Sequence, residues 1–219
     1  MERVLDALLA ASPNRFRGIR HKVTWSPDPG LENRESEGIL ANTSFREGAK
    51  VLMQKGLVLD VMLSFPQMPE LADFAKTVPE LSIILNHIGA LRRVGILANR
   101  DEEVTVDWRR GIDAVAVCPN VTLKLGGVGM PWMGFGWHTR EVPVGSEELA
   151  ESISPWINCC IEQFGADRCM FESNFPPDKV SFSYNVIYNS FKRLSENYSD
   201  NERAAMFHGT AARVDRIDY

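Results

Sequence analysis

Short apolar runs alternating with stretches of helical spacing constrain this chain more than any other feature. Five runs read as strands: FRGIR (Phe16 to Arg20), LVLDVML (Leu57 to Leu63), LSIILNH (Leu81 to His87), VTLKL (Val121 to Leu125) and RCMFES (Arg168 to Ser173). Most are nearly continuous in apolar character, which suits parallel strands covered on both faces by helices. Helical patterns fill the intervals at about Ser44 to Lys55, Pro69 to Val78, Asp107 to Val117, Ser146 to Phe164 and Tyr184 to Asn197. Pro155 is expected to kink or divide the fourth of these. A capping box, Ser199 with Glu202, starts a last helix that Gly209 is expected to stop. The opening MERVLDALLAA reads as an amphipathic helix ended before Pro13.

Steady strand–helix alternation implies right-handed crossovers and a parallel sheet, hence an α/β fold. Polar residues punctuate the strands near their C-terminal ends: Arg20, Asp60, Asn86, His87, Lys124 and Glu172. In a (β/α)8 barrel that end is where an active site is assembled from several strands. No GxGxxG or GxxxxGK[ST] follows a strand, so a nucleotide-binding open sheet lacks its usual support. Five units are fewer than the eight of a TIM barrel, which runs to about 250 residues. The expectation is therefore one domain over residues 1–219 with a partial barrel whose first strands are missing.

Composition narrows the function. With 44% hydrophobic and 24% charged residues the chain has the balance of a globular unit with a sizeable core. Lys+Arg 24 against Asp+Glu 29 gives a net charge of −5, which argues against an electrostatic grip on nucleic acid or a membrane surface. The expected partner is a small-molecule, anionic substrate, and a homo-oligomer is compatible with the sequence. Cys118, Cys159, Cys160 and Cys169 show no CxxC spacing, so they read as buried thiols in a cytoplasmic, reducing setting.

Several segments bring chemistry. His87 ends an apolar strand and is either a packing residue or a group at the catalytic rim. Lys124, inside an apolar strand, needs an anion: Asp60, Glu172 or a substrate. FESNFPPDK puts Glu172 and Asn174 in a Pro-rich turn, to line the rim or to hold the turn itself. The Gly-rich stretch Gly126 to Glu141, with Trp132, Phe135, Trp137 and His138, reads as a mobile lid or as a loop whose aromatics tuck onto the core. There is no HxH, HExxH or clustered His/Cys set, and no GxSxG.

Together RFRGIRH, GLVLDVML, QMPELADFAKTVPELSIILNHIG, NVTLKLGG, FGADRCMFESNFPPDK and ERAAMFHGTAARV resemble the amidohydrolase-related TIM-barrel proteins, in particular their lactonase-like branch. The resemblance spans essentially the whole chain and implies that its strands are the fourth to eighth of the barrel. The family's first-strand HxH has no match here. Its strand-six histidine falls on His87, and its strand-eight aspartate, the usual general base, falls on Asn174, which cannot accept a proton as a carboxylate does.

These points imply a hydrolase of a small carboxylated or lactone-like compound, with water attacking a polarised carbonyl. His87, Asn174 and Glu172 are the expected catalytic residues, with Asp178 a further carboxylate in reach. Arg20, Lys124, Trp25, Trp137 and His138 are the expected substrate contacts. No cofactor is firmly implied. A divalent metal, Zn or Mn, belongs only to a full-length form, with His87 the one clear ligand candidate. Decarboxylation within the same superfamily and a non-catalytic, degenerate barrel that binds rather than reacts are the alternatives. The missing first-strand ligands leave open how much activity this chain has by itself.

Overall fold

Strand β1 (Gly18–Lys22) lies beside β2 (Val58–Met62), followed by β3 (Ile83–Leu85), β4 (Val121–Leu125) and β5 (Cys169–Phe171), so spatial order equals chain order. Every pairing is parallel, with Arg20 opposite Asp60, Asp60 opposite Ile84, Ile84 opposite Thr122 and Lys124 opposite Met170. The computed structural model describes residues 1–27, 35 and 37–217.

Because side chains alternate along a strand, each strand gives one set of residues to either face. Leu59, Val61, Ile83, Leu85, Val121, Leu123, Leu125, Cys169 and Phe171 join the main core beneath the helices. Val58, Ile84 and Met170 belong to the opposite face, where Val214 of the last helix packs on them. That second face also carries Arg20, Asp60 and Lys124. The strands are thus not covered by helices on both sides along their length; one face is the apolar layer and the other holds a polar network, as the interior of a barrel does.

Helices follow Thr43–Gln54, Met68–Thr77, Asp101–Ala116, Ser146–Phe164 and Tyr184–Leu194, and the chain opens with Glu2–Ala11. Three local expectations are corrected. The third main helix begins at Asp101 rather than Asp107, because Asp101, Glu102 and Glu103 in its first turn suit the positive helix end while Val104 and Trp108 bury one face. Pro155 does not divide Ser146–Phe164: the carbonyl of Glu151, which the proline cannot serve, accepts a hydrogen bond from Ser154 Oγ at 2.9 Å. Nor does Gly209 stop the last helix. The Ser199–Glu202 capping box is present, but the chain runs from Asp200–Ala204 through a wide turn at Ala205–Gly209 into Thr210–Asp215 and ends at Arg216, with φ 51°.

Cys118, Cys159, Cys160 and Cys169 are free and buried. Burial raises the thiol pKa of all four, to about 12 for Cys169. They pack as small apolar groups, not as nucleophiles. No described helix is long and apolar enough to cross a membrane.

Candidate active site

Two clusters of polar groups lie along the sheet, one centred at mid-strand, where Arg20 and Asp60 are each the third of five residues in β1 and β2, and one at the C-terminal ends of β3 and β5. The first spans β1 to β4. Asp60 accepts Arg20 Nε at 2.8 Å on Oδ1 and Lys124 Nζ at 2.6 Å on Oδ2. Asn86, fully buried, donates to the Val61 carbonyl at 2.9 Å and to Asp60 Oδ1, while its Oδ1 accepts Arg20 Nη2 at 2.9 Å and Lys124 Nζ at 3.2 Å. Parallel register places these residues in neighbouring strands on one face, so a carboxylate on β2 meets cations from both sides. Burial alone would raise the Asp60 carboxyl pKa, but the Arg20 hydrogen bond and the Lys124 charge outweigh it and hold it below the usual carboxylate value.

A second cluster joins β3 to β5. His87 Nδ1 lies 2.5 Å from Glu172 Oε1, and the same oxygen accepts the His87 backbone N–H at 3.2 Å. Their side chains are only 5% and 14% exposed. A carboxylate acceptor requires the proton on Nδ1, so Nε2 is the basic nitrogen of the neutral ring. His87 sits in a tight turn in which His87, Ile88 and Ala90 all have positive φ (56°, 47° and 48°). That backbone is costly for side-chain-bearing residues and persists because its surroundings fix it, here through Trp108 Nε1 donating to the Ile88 carbonyl at 2.7 Å.

Beside this pair lies Asp178, fully buried, whose Oδ1 accepts Asn174 Nδ2 at 2.7 Å and whose Oδ2 accepts the Gly129 N–H at 3.0 Å. Burial pushes the Asp178 carboxyl up to about 6 despite these two hydrogen bonds. Asn174, with φ 49°, is therefore tied to Asp178. The site carboxylates within the ESNFPPD stretch are Glu172 and Asp178 on either side of it.

The structure thus brings together His87 and Glu172 at one cluster, Arg20 and Lys124 at the other, and places Asn174 next to the first. Lys124 has its anion in Asp60, one of the two partners that the sequence offered within the chain. Trp137 is corrected: its ring is 3% exposed, stacks on Phe135 with centroids 4.1 Å apart and touches Phe182 edge-on, so it is core and does not line a substrate surface. His138 is exposed on the adjoining turn. Trp25 is half-buried, and its backbone N–H donates to Gln67 Oε1 at 2.9 Å. The sequence offered Asp60 as a partner for Lys124, but it assigned no role to Asn86, which stood only among the polar strand ends. An open cavity of about 280 Å³ is lined by Arg20, Val58, Asp60, Ile84 and Asp215 but by neither His87 nor Glu172.

Among the described residues no group of three or more His, Cys, Asp or Glu side chains converges so as to hold a metal ion. His87 turns Nδ1 to Glu172, which leaves Nε2 as its one ligating nitrogen, and both Asp178 oxygens already accept hydrogen bonds, from Asn174 and Gly129. One imidazole nitrogen falls short of the three or four protein ligands that a resident zinc takes, so the described residues do not by themselves fit one.

Residues 1–216 match the amidohydrolase family. The chain is 34% identical over 202 residues to the uncharacterised protein y4mH of Sinorhizobium fredii, covering 92% of this chain and 61% of that protein. It is 24% identical over 200 residues to an L-fucono-1,5-lactonase of Burkholderia multivorans, covering 91% of this chain and 62% of the lactonase. It therefore spans about three-fifths of the length of these relatives. Among solved structures, an amidohydrolase from Burkholderia multivorans with bound zinc superposes with a TM-score of 0.80 at 23% identity, over 99% of this chain and 70% of that one. A putative 2-pyrone-4,6-dicarboxylic acid hydrolase from Pseudomonas putida gives 0.65 at 17% identity, over 100% and 69% of the two chains. These likenesses extend to the barrel fold, and the sequence match over nearly the whole chain settles the family: this protein is a member of the amidohydrolase family.

Proposed function

We propose that the protein hydrolyses a small lactone-like ester, with His87 as the base and Glu172 holding it. The observation that carries this reading is the 2.5 Å contact between His87 Nδ1 and Glu172 Oε1 at the C-terminal ends of β3 and β5. A carboxylate that accepts Nδ1–H fixes the ring tautomer and stabilises the imidazolium formed when Nε2 takes a proton. His87 Nε2 takes a proton from water, and the water oxygen bonds to the lactone carbonyl carbon. The tetrahedral adduct collapses as the ring C–O bond breaks, and the departing alkoxide takes the proton back from Nε2. The products are a hydroxy acid and the regenerated base.

Membership in the amidohydrolase family and the lactonase names of two relatives support the reaction class. Arg20, whose side chain stays 50% exposed although Asp60 holds it, supports an anionic substituent on the substrate. The four buried free thiols support a reducing, cytoplasmic setting.

A panel of sugar lactones, L-fucono-1,5-lactone among them, tests the reading. Glu172→Gln keeps the shape of the acceptor but not its charge, so kcat is expected to fall about 10²- to 10⁴-fold, with KM little changed. His87→Ala should lose at least as much. Undiminished turnover in both variants, or no turnover of any lactone by the unmodified chain, overturns it.

A further inference from the structure

The chain leaves β4 through Gly126-Gly127-Val128-Gly129, and three of these four positions press bare backbone against an ionisable side chain of the site. A Cβ on Gly126 would lie 2.3 Å from both Cγ and the carbonyl oxygen of Glu172. On Gly127 it would lie 2.6 Å from His87 Cβ and Cγ and 2.7 Å from Nδ1. On Gly129 it would lie 2.9 Å from Asp178 Cβ and Cγ and 2.7 Å from Phe182 Cζ. Contacts this short force a neighbour to shift for any side chain, and Gly127 also has φ +68°. Val128, fully buried, pins the segment in the core. Gly129 is held by its N–H to Asp178 Oδ2 at 3.0 Å and by Ser181 Oγ donating to its carbonyl at 2.5 Å.

Glycines further along are less tightly faced: a Cβ on Gly134 would lie 3.1 Å from Arg93 Cβ and from its carbonyl oxygen, longer than any of these contacts. Gly136 has φ +70°, yet its nearest foreign atom is Thr139 Oγ1 at 4.0 Å, and Gly145 meets nothing within 4 Å. The demand for glycine at 126, 127 and 129 therefore comes from the groups they touch.

We propose that Gly126–Gly129 is a backbone clamp that sets the orientation of the His87–Glu172 pair. Gly126 and Gly127 act as positioning residues. Gly127 lies flat against the imidazole at Nδ1, Gly126 lies against the Glu172 stem, and the two together hold nitrogen and oxygen at hydrogen-bond distance while keeping water off the bond. Low local polarity strengthens such a bond, and a displacement of about 1 Å at a reacting group costs about a hundredfold in rate. The clamp deepens the proposed function, since it rests on that pair being the one that moves the proton.

The test reads the pair directly in the whole chain. The Nδ1–H proton of His87 is followed as a downfield imidazole N–H resonance by NMR, assigned by its loss in His87→Ala. Gly127→Ala is expected to shift or abolish this signal, whereas Gly136→Ala, equally demanding in φ but free of contacts, should leave it in place. An unchanged signal in folded Gly127→Ala overturns the clamp.

Should Gly127→Ala not fold, a second comparison decides. His87→Gly removes the three atoms nearest to the new Cβ, and glycine suits the positive φ there. The double variant His87→Gly/Gly127→Ala should recover the cooperative melt that Gly127→Ala alone lacks, and a double variant that stays unfolded while His87→Gly folds overturns the proposal. The functional reading fails separately, by lactone turnover surviving in His87→Ala, and that result leaves the NMR outcome intact as a measure of the clamp.

Discussion

Lys124 Nζ reaches from β4 across β3 to stand 2.6 Å from Asp60 Oδ2 on β2, with both side chains less than a fifth exposed. An ammonium in an otherwise apolar strand has its counter-charge built into the chain. Asp60 is shared with Arg20, so removing either cation leaves a partly buried carboxylate less compensated.

Lys124→Met is accordingly expected to lower stability at pH 7 by about 1–3 kcal/mol, between the values for exposed and for buried ion pairs. The Asp60 carboxyl titrates below its usual value in the folded chain, so this stabilisation is present above the unfolded pKa and is lost as pH falls through the folded one. Unfolding curves of the two proteins should converge in acid. Equal stability at neutral pH, with weakened binding of an anionic lactone, would instead give Lys124 to the substrate.

Asp178 behaves in the opposite sense. Its carboxyl is raised from 3.8 to about 6, so between these values the folded state holds the proton and the unfolded state has lost it. Its contribution to stability is thus full below about pH 4 and disappears as pH rises through about 6, by at most ~3 kcal/mol. Asp178→Asn can keep the Gly129 hydrogen bond without the charge. Melting temperatures across pH 4 to 7 should fall less steeply for the variant than for the unmodified chain, and identical slopes would remove Asp178 as the cause.

The parallel sheet and its polar rim were legible because they rest on local pattern. Val121–Leu125 is the strand that its composition implies, and Lys124 announces a need for an anion by sitting inside it. The rest depended on distant contacts. His87 and Glu172 are 85 residues apart and meet only because β3, β4 and β5 line up in register. Pro155 should break a helix by the general rule, and one hydroxyl, that of Ser154, removes much of the reason. The glycines at 126, 127 and 129 looked like a mobile loop, since composition cannot separate a glycine needed for freedom from one needed for closeness.

Metal content follows from the same geometry. With one ligating nitrogen on His87 and no group of three or more ligand side chains among the described residues, the chain purified and dialysed without chelator should carry well below one equivalent of zinc or manganese by elemental analysis. Stoichiometric metal, displaced by His87→Ala, would show that these side chains rearrange into a ligand set.

The aromatic loop yields the last prediction. Trp137 is 3% exposed, stacked on Phe135, which in turn meets Trp156 edge-on, and Arg93 lies over the Phe135 and Trp156 rings at 5.2 and 5.0 Å. Arg93 is also fixed by Asp101, with Nε and Nη2 at 3.0 and 2.8 Å from its two carboxylate oxygens. A lid that opens for substrate would have to unstack this assembly on every turnover. The packed arrangement predicts instead that Trp137→Ala costs about 3–5 kcal/mol of global stability, as deletion of a buried aromatic does. The loop should also resist proteolysis until the whole protein unfolds, because its opening is tied to the core. Early cleavage between Gly126 and Glu141 in the folded protein, together with a Trp137→Ala variant of unchanged melting temperature, would restore the lid.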